Sequence, residues 1–272
     1  MILILLLFLA VYTAAFSGYL VQNPDYSQLD ADTLETMEFR QMQLGDWILS
    51  EPPDYDRLTA LMISANYDLR PLKGENKNTE NWQEIRRDLL RTKPEEYEAL
   101  KQAYTMILSD ISCFPVPLSV NAETPDITYS DTFGEGRTYG GERIHEGCDL
   151  MGNAMPRGFY PVLSMTAGTV EQVGWLGKGG WRIGIRTPSG AYFYYAHLYS
   201  YSRSWQTGDT VQSGTLLGFM GDSGYGSEGT VGMFDVHLHL GIYIPTEHYH
   251  ELSVNPYWIL RFSESFRTRA DF

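Results

Sequence analysis

Two histidines stand two residues apart in Phe234-Asp235-Val236-His237-Leu238-His239-Leu240-Gly241-Ile242-Tyr243. Side chains alternate across a strand, so an extended backbone puts Asp235, His237 and His239 on one face and Phe234, Val236, Leu238, Leu240 and Ile242 on the other. Paired imidazoles backed by an apolar face make a rigid platform for a metal ion, although the same spacing also arises by coincidence. His248-Tyr249-His250 repeats the spacing in polar sequence after Pro245, with no apolar alternation behind it, and is expected to be a surface loop. His145-Glu146-Gly147-Cys148-Asp149 brings a second set of donors. In extended backbone His145, Gly147 and Asp149 point the same way, Gly147 leaves space between the two polar groups, and Cys148 faces the opposite side. Imidazole nitrogen and carboxylate oxygen are both good zinc ligands. With His239 the count reaches three, the number a catalytic zinc site uses while keeping a position open for water. His197, in Tyr194-Tyr195-Ala196-His197-Leu198, reads either as an ordinary half-buried strand histidine or as a proton-transfer group beside such a site.

The elements that must hold these residues are strands. Gly168 to Trp175, Trp181 to Thr187, Ala191 to Leu198 and Phe234 to Tyr243 are short apolar or alternating runs between Gly-rich turns, and Pro188-Ser189-Gly190 suits a hairpin. A chain with 26 Gly and 19 Tyr fits turn-rich β-structure better than a helical bundle. Before Cys113 the character differs. Leu34, Met37, Leu44 and Ile48 have a patchy helical spacing, Pro52-Pro53 stops it, and a weak helical stretch runs from Arg57 to Tyr67 ahead of the polar loop Lys73 to Asn78. Thr92 and Glu95 form a capping-box pattern with Pro94 in the first turn, and Tyr97, Leu100, Tyr104, Leu108 and Ile111 make one apolar stripe.

Residues 1–21 carry no charge and are long enough to approach a bilayer span. A cleaved signal is the alternative, but there is no basic n-region and no clear cleavage site. The expected domains are an anchor or signal at 1–22, a helical juxtamembrane arm at 23–112, a metallopeptidase β domain at 113–262 and a tail at 263–272. Asn23 to Ala60 holds nine acids and two bases, which favours an outward-facing chain after the anchor. The net charge of −14 excludes a nucleic-acid partner, since phosphate binding needs clustered Lys and Arg. Two cysteines in an exported chain allow one disulfide, Cys113 to Cys148.

His145-x3-Asp149, Tyr195-Ala196-His197-Leu198 and His237-Leu238-His239, in this order, resemble the lysostaphin-like zinc endopeptidases that cut peptidoglycan. The likeness covers about Phe114 to Pro256 and takes in Gly168-Thr169-Val170, Gly179-Gly180, Gly208-Asp209-Thr210-Val211 and Gly218-Phe219-Met220-Gly221. The resemblance implies a mainly β, antiparallel peptidase domain with a groove, and zinc on His145, Asp149 and His239. It further implies that His197 and His237 flank the attacking water and that Tyr139, six residues before His145, supports the oxyanion. Peptidoglycan peptides would be the substrate and the extracytoplasmic side of the membrane the location, or secretion if residues 1–22 are cleaved. Ser223 to Met233 departs from the family as a longer Gly-rich loop. The rival readings are an inactive envelope scaffold or amidase regulator of the same fold, a zinc carboxypeptidase and a sugar-phosphotransfer carrier. The first would lack a ligand, the second would need another His–Asp spacing, and the anchor and Asp149 oppose the third.

Overall fold

The computed structural model describes residues 2–22, 28–46, 53–71, 81–138, 141–152 and 155–272. Helix α1 (Ile2–Gln22) contains the apolar span Ile2–Leu20, none of it buried, with a mean hydropathy of 2.1. Nineteen residues rise about 28 Å as a helix, which is long enough to cross a hydrocarbon core. Helices α2 (Met37–Arg40), α3 (Tyr55–Ser64), α4 (Trp82–Thr92) and α5 (Pro94–Leu108) follow. Ile48, Pro52 and the loop from Lys73 to Asn78 lie outside the described residues.

Pro94 occupies the first turn of α5, where its missing N–H costs nothing, and the stripe Tyr97, Leu100, Tyr104, Leu108 and Ile111 is buried. The capping box does not form. Lys93 is the N-cap of α5, and Thr92 ends α4 with its hydroxyl donating to the Asp88 carbonyl at 2.8 Å. The sequence pattern misled because two helices abut with a single residue between them.

The strands are β1 (Leu118–Ser119), β2 (Thr128–Tyr129), β3 (Gly136–Arg137), β4 (Arg143–Ile144), β5 (Cys148–Met151), β6 (Pro161–Leu163), β7 (Gly168–Leu176), β8 (Gly180–Arg186), β9 (Tyr192–Tyr201), β10 (Thr210–Val211), β11 (Leu216–Met220), β12 (His237–Ile244), β13 (Leu252–Val254) and, after α6 (Tyr257–Ser263), β14 (Arg269–Ala270). Ten of them form one antiparallel sheet in the order β10-β7-β8-β9-β12-β5-β2, with β11 joining β9 to β6 and β13 beside β12. The hairpin at Pro188-Ser189-Gly190 joins β8 to β9. Gly190 has a φ of +109°, and its N–H donates to the Thr187 carbonyl at 3.1 Å. Strand β12 begins at His237, three residues later than the alternation suggested, so Phe234 is not part of its apolar face.

Leu238, Leu240, Ile242 and Ile244 of β12 are at most 1% exposed and share one apolar cluster with the buried faces of α3 and α5. The helical region therefore packs on the back of the sheet and leaves the histidine face open. Arg40 fastens α2 to β13, with Nε donating to the Ser253 carbonyl at 2.9 Å. Asp110, just after α5, accepts from the Ser189 N–H at 3.0 Å and so ties the helices to the β8–β9 turn.

The cysteines are not paired. Both are buried, and the Cys113 thiol donates to the Phe114 carbonyl and the Cys148 thiol to the Ser130 carbonyl, each at 3.3 Å. Burial pushes both thiols up, so they pack as small apolar groups rather than reactive thiolates.

Candidate active site

Strand register brings the donors together. On β5 and β12, Asp149 faces His239 directly, and on the far side of β12 His239 faces Ala196 of β9. His145 enters from the segment between β4 and β5. The His145 Nε2, Asp149 Oδ1 and His239 Nδ1 atoms form a triangle with sides of 3.1, 3.0 and 3.0 Å. Gly147 makes the triangle possible: a Cβ there would lie 2.5 Å from the His239 ring and 2.5 Å from the Leu240 carbonyl oxygen.

Three imidazoles have a backbone carbonyl at Nδ1. The partners are Thr132 for His145 at 3.1 Å, Ser223 for His197 at 2.8 Å and Asp235 for His237 at 2.7 Å. A carbonyl can only accept, so each of these Nδ1 atoms carries the proton and each Nε2 keeps its lone pair. The triangle is thus three acceptor atoms with at most one proton between them while the imidazoles are neutral. A cation satisfies all three, and the N, N, O donor set suits a divalent transition metal. Burial works against ionisation of Asp149, but the imidazoles packed against it, His145 and His239 first and His237 beyond them, hold its carboxyl well below the usual carboxylate range. Arg137 reaches the other carboxylate oxygen, Oδ2, at 3.4 Å. Burial likewise lowers His239, with Asp149 pulling the other way.

His237 and His197 stand beside the triangle. His237 Nε2 is 3.8 Å from Asp149 Oδ1, and the rings of His197 and His237 are 4.7 Å apart. His197 lies where β9 changes partner: residues 192–196 pair with β12, and from Leu198 onward the same edge pairs with β11. The switch is made by a left-handed turn at His197 itself, with φ of +62°, a conformation uncommon for a non-glycine residue and found at functional sites. Burial, with His237 and His239 close by, pushes His197 well below the ordinary imidazole range. Phe234, expected on the apolar face, instead packs on this side, its ring edge-on to His197 at 4.6 Å and tilted against His237 at 5.0 Å.

The Gly-rich loop from Ser223 to Met233 closes on itself through a Gly224 N–H bond to the Thr230 carbonyl at 2.9 Å. It supplies the carbonyl that orients His197 and carries Tyr225, whose hydroxyl accepts from Arg143 at 3.1 Å. His248-Tyr249-His250 is exposed loop, as expected, with His248 near Glu35. Tyr139 lies outside the described residues.

These groups open onto a groove of about 440 Å³ that crosses the sheet from β5 to β7. Its floor is tyrosine laid over glycine. Any Cβ on Gly184 would strike Tyr192, one on Gly179 would strike Tyr194, and one on Gly241 would strike Tyr243, all at under 3 Å. Burial raises the Tyr194 hydroxyl to about 12, so it stays a protonated donor within the groove.

The model of peptidase family M23 matches residues 143–256, which include every histidine and the aspartate just described. A crystal structure from Ruminococcus gnavus ATCC 29149, provisionally named a glycyl-glycine endopeptidase lytM, is similar to this chain at 37% identity and a TM-score of 0.78. The likeness covers 91% of this chain and 98% of that one, so helices as well as sheet are matched. The chain belongs to peptidase family M23. As an M23 member it is a peptide hydrolase. The L-Ala--D-Glu endopeptidase of Bacillus subtilis (strain 168) is 39% identical over 185 residues, 68% of this M23 chain, and this chain spans 54% of that relative's length. The catalytic domain of lysostaphin from Staphylococcus simulans is a more distant M23-like neighbour, 24% identical with a TM-score of 0.38 over 50% of this chain and 92% of that one.

The carbonyls of Thr132, Ser223 and Asp235 were invisible in the sequence, because a backbone acceptor carries no residue-type signature.

Proposed function

We propose that this protein is a zinc endopeptidase that hydrolyses a peptide of bacterial peptidoglycan, anchored by α1 with its groove outside the cytoplasmic membrane. The observation that carries the proposal is the triangle of His145, Asp149 and His239 on the floor of an open groove. Two nitrogens and one carboxylate oxygen, with room for a fourth partner, are the donor set of a catalytic rather than a structural zinc. Zinc held there would polarise the scissile carbonyl and lower the pKa of water toward ~7.

The remaining chemistry belongs to the chain. His197 and His237 each keep Nε2 unprotonated, because Ser223 and Asp235 hold the proton on Nδ1. One accepts the proton of the attacking water and the other stabilises charge on the carbonyl oxygen, with protons returned to the leaving amine from the same side. The extended groove, floored by Tyr192, Tyr194 and Tyr243, orients a peptide across the sheet rather than receiving a chain end. The peptidoglycan reading draws on the wall-peptide bond in the name of the Bacillus subtilis relative. The anchor reading draws on the exposed apolar helix α1.

Incubation of the zinc-loaded protein with purified peptidoglycan, followed by mass spectrometry of released fragments, tests the proposal. New amino termini within stem or bridge peptides support it. Intact peptides, or loss of glycan linkages alone, contradict it.

A further inference from the structure

The groove is basic in an acidic protein. The chain carries a net charge of −14, yet Arg137, Arg143, Lys178 and Arg182 all line this one cleft. Three acids share the lining: Asp149 lies in the histidine triangle, Glu251 accepts from Arg186 at 2.6 Å, and the exposed Glu146 accepts from the Ser253 hydroxyl at 3.4 Å. Two of the four cations are accounted for: Arg137 holds Glu135 and Asp149, and Lys178 is exposed on the rim. Arg143 bonds the neutral Tyr225 hydroxyl at 3.1 Å, with its Nε buried and unpartnered.

Arg182 is the second unpaired cation, on the β8 side of the groove and open to its middle. Its Nη2 donates to the neutral Gln172 side chain at 3.3 Å, and its Nη1 is buried with no hydrogen-bond partner. Among the described residues no carboxylate is recorded in an ion pair with it. A buried guanidinium nitrogen without an acceptor is costly, and nothing in the fold repays it. Arg182 projects from β8 on the same face as Gln172 and opposite Gly174, whose missing side chain leaves open space above the strand.

We infer that Arg182 is a specificity-determining residue that binds a free carboxylate on the peptide substrate, so that the enzyme selects an acidic peptide over its amidated counterpart. The inference rests on the peptidase reading above. Strand β8 lies two strands from β12, about 10 Å at the usual spacing, with the Tyr194 floor between them. At about 3.4 Å per extended residue, and allowing for the reach of an arginine, the bound carboxylate belongs to a residue within about two positions of the scissile bond. Cations gathered in one cleft also draw an anionic peptide past the repelling charge of the rest of the surface.

The test uses the zinc-loaded full chain and two synthetic stem peptides that differ only in one carboxyl, free or amidated, beside the scissile bond. The free acid is expected to be cleaved with a kcat/KM at least about tenfold higher, the scale of one charge-assisted hydrogen bond. Arg182→Gln should bring the acid down to the level of the amide, and Arg182→Lys should keep part of the preference, because it keeps the charge and loses the fork. Melting temperature and zinc content of both variants confirm that fold and metal are intact. Equal cleavage of acid and amide by the parent, or a preference that survives Arg182→Gln, overturns the inference. Equilibrium binding of the same peptide pair is measured alongside. If neither peptide is cut, the peptidase reading fails on that substrate. Tighter binding of the acid that depends on Arg182 then still supports the subsite, and equal binding overturns it.

Discussion

Asp149 and His239 face each other across β5 and β12, with Oδ1 and Nδ1 3.0 Å apart. One strand register therefore sets two of the three donors. A one-residue slip of either strand would turn one donor to the opposite face. The apolar back of β12, wholly buried against the helical layer, prevents that slip. Packing of the helices is thus part of what holds the site in shape.

Under the proposed mechanism His197 takes part in catalysis and not in metal binding. His197→Ala should retain the metal and lose ~10²-fold or more in turnover, the scale of a general acid–base group. Its left-handed backbone adds a second expectation, because glycine adopts that conformation without the Cβ penalty. His197→Gly should be as inactive as His197→Ala but more stable, by roughly 1 kcal/mol. Denaturant melts of the two variants check the order, and an alanine variant more stable than the glycine one would refute it.

Gly147 is needed for room. Gly147→Ala would place a methyl group 2.5 Å from both the His239 ring and the Leu240 carbonyl oxygen. Displacing His239 by even a few tenths of an ångström spoils a three-donor site, so the variant should bind zinc at least about tenfold more weakly. Competition with a chromogenic chelator measures this. Unchanged affinity would mean that the imidazole is not positioned by Gly147.

How much of this was legible beforehand follows from what sequence encodes. The alternation around His237 and His239 reports burial on one face, and burial is a property of residue type, so β12 and its donors could be read directly. The strands β7 to β9 and the α5 stripe were legible for the same reason. Phe234 was not, because the strand starts at His237 and an aromatic ring just before it can fold to either side. The Thr92 pattern failed because a capping box looks the same whether its threonine starts one helix or ends another. The turn at His197 had no local signal, since it comes from β9 exchanging β12 for β11, a tertiary event. The disulfide was expected from an even cysteine count in an exported chain and from the closeness of Cys148 to the metal ligands in sequence, but the thiols face separate carbonyls.

Protons should destabilise the metal-free protein in a defined window. Burial lowers His197 and His239 in the folded state, whereas the unfolded chain binds their protons near ~6.5. Stability is therefore complete above that value and falls as pH drops below it. Asp149, also lowered, adds a loss only at far more acidic pH. The melting temperature of the metal-free chain should decline from pH 7 to pH 5, and His197→Gly should flatten that decline. A parent curve that rises toward pH 5 would contradict the neutral, buried state of His197.

Elemental analysis of the purified parent and of Asp149→Ala, with peptidase activity measured on the same samples, bears most directly on the central claim. One zinc per parent chain is expected, with both zinc and activity lost from Asp149→Ala, because two imidazoles alone hold the ion too weakly against water. Full zinc occupancy or undiminished activity in Asp149→Ala would contradict the assignment of the triangle as the metal centre.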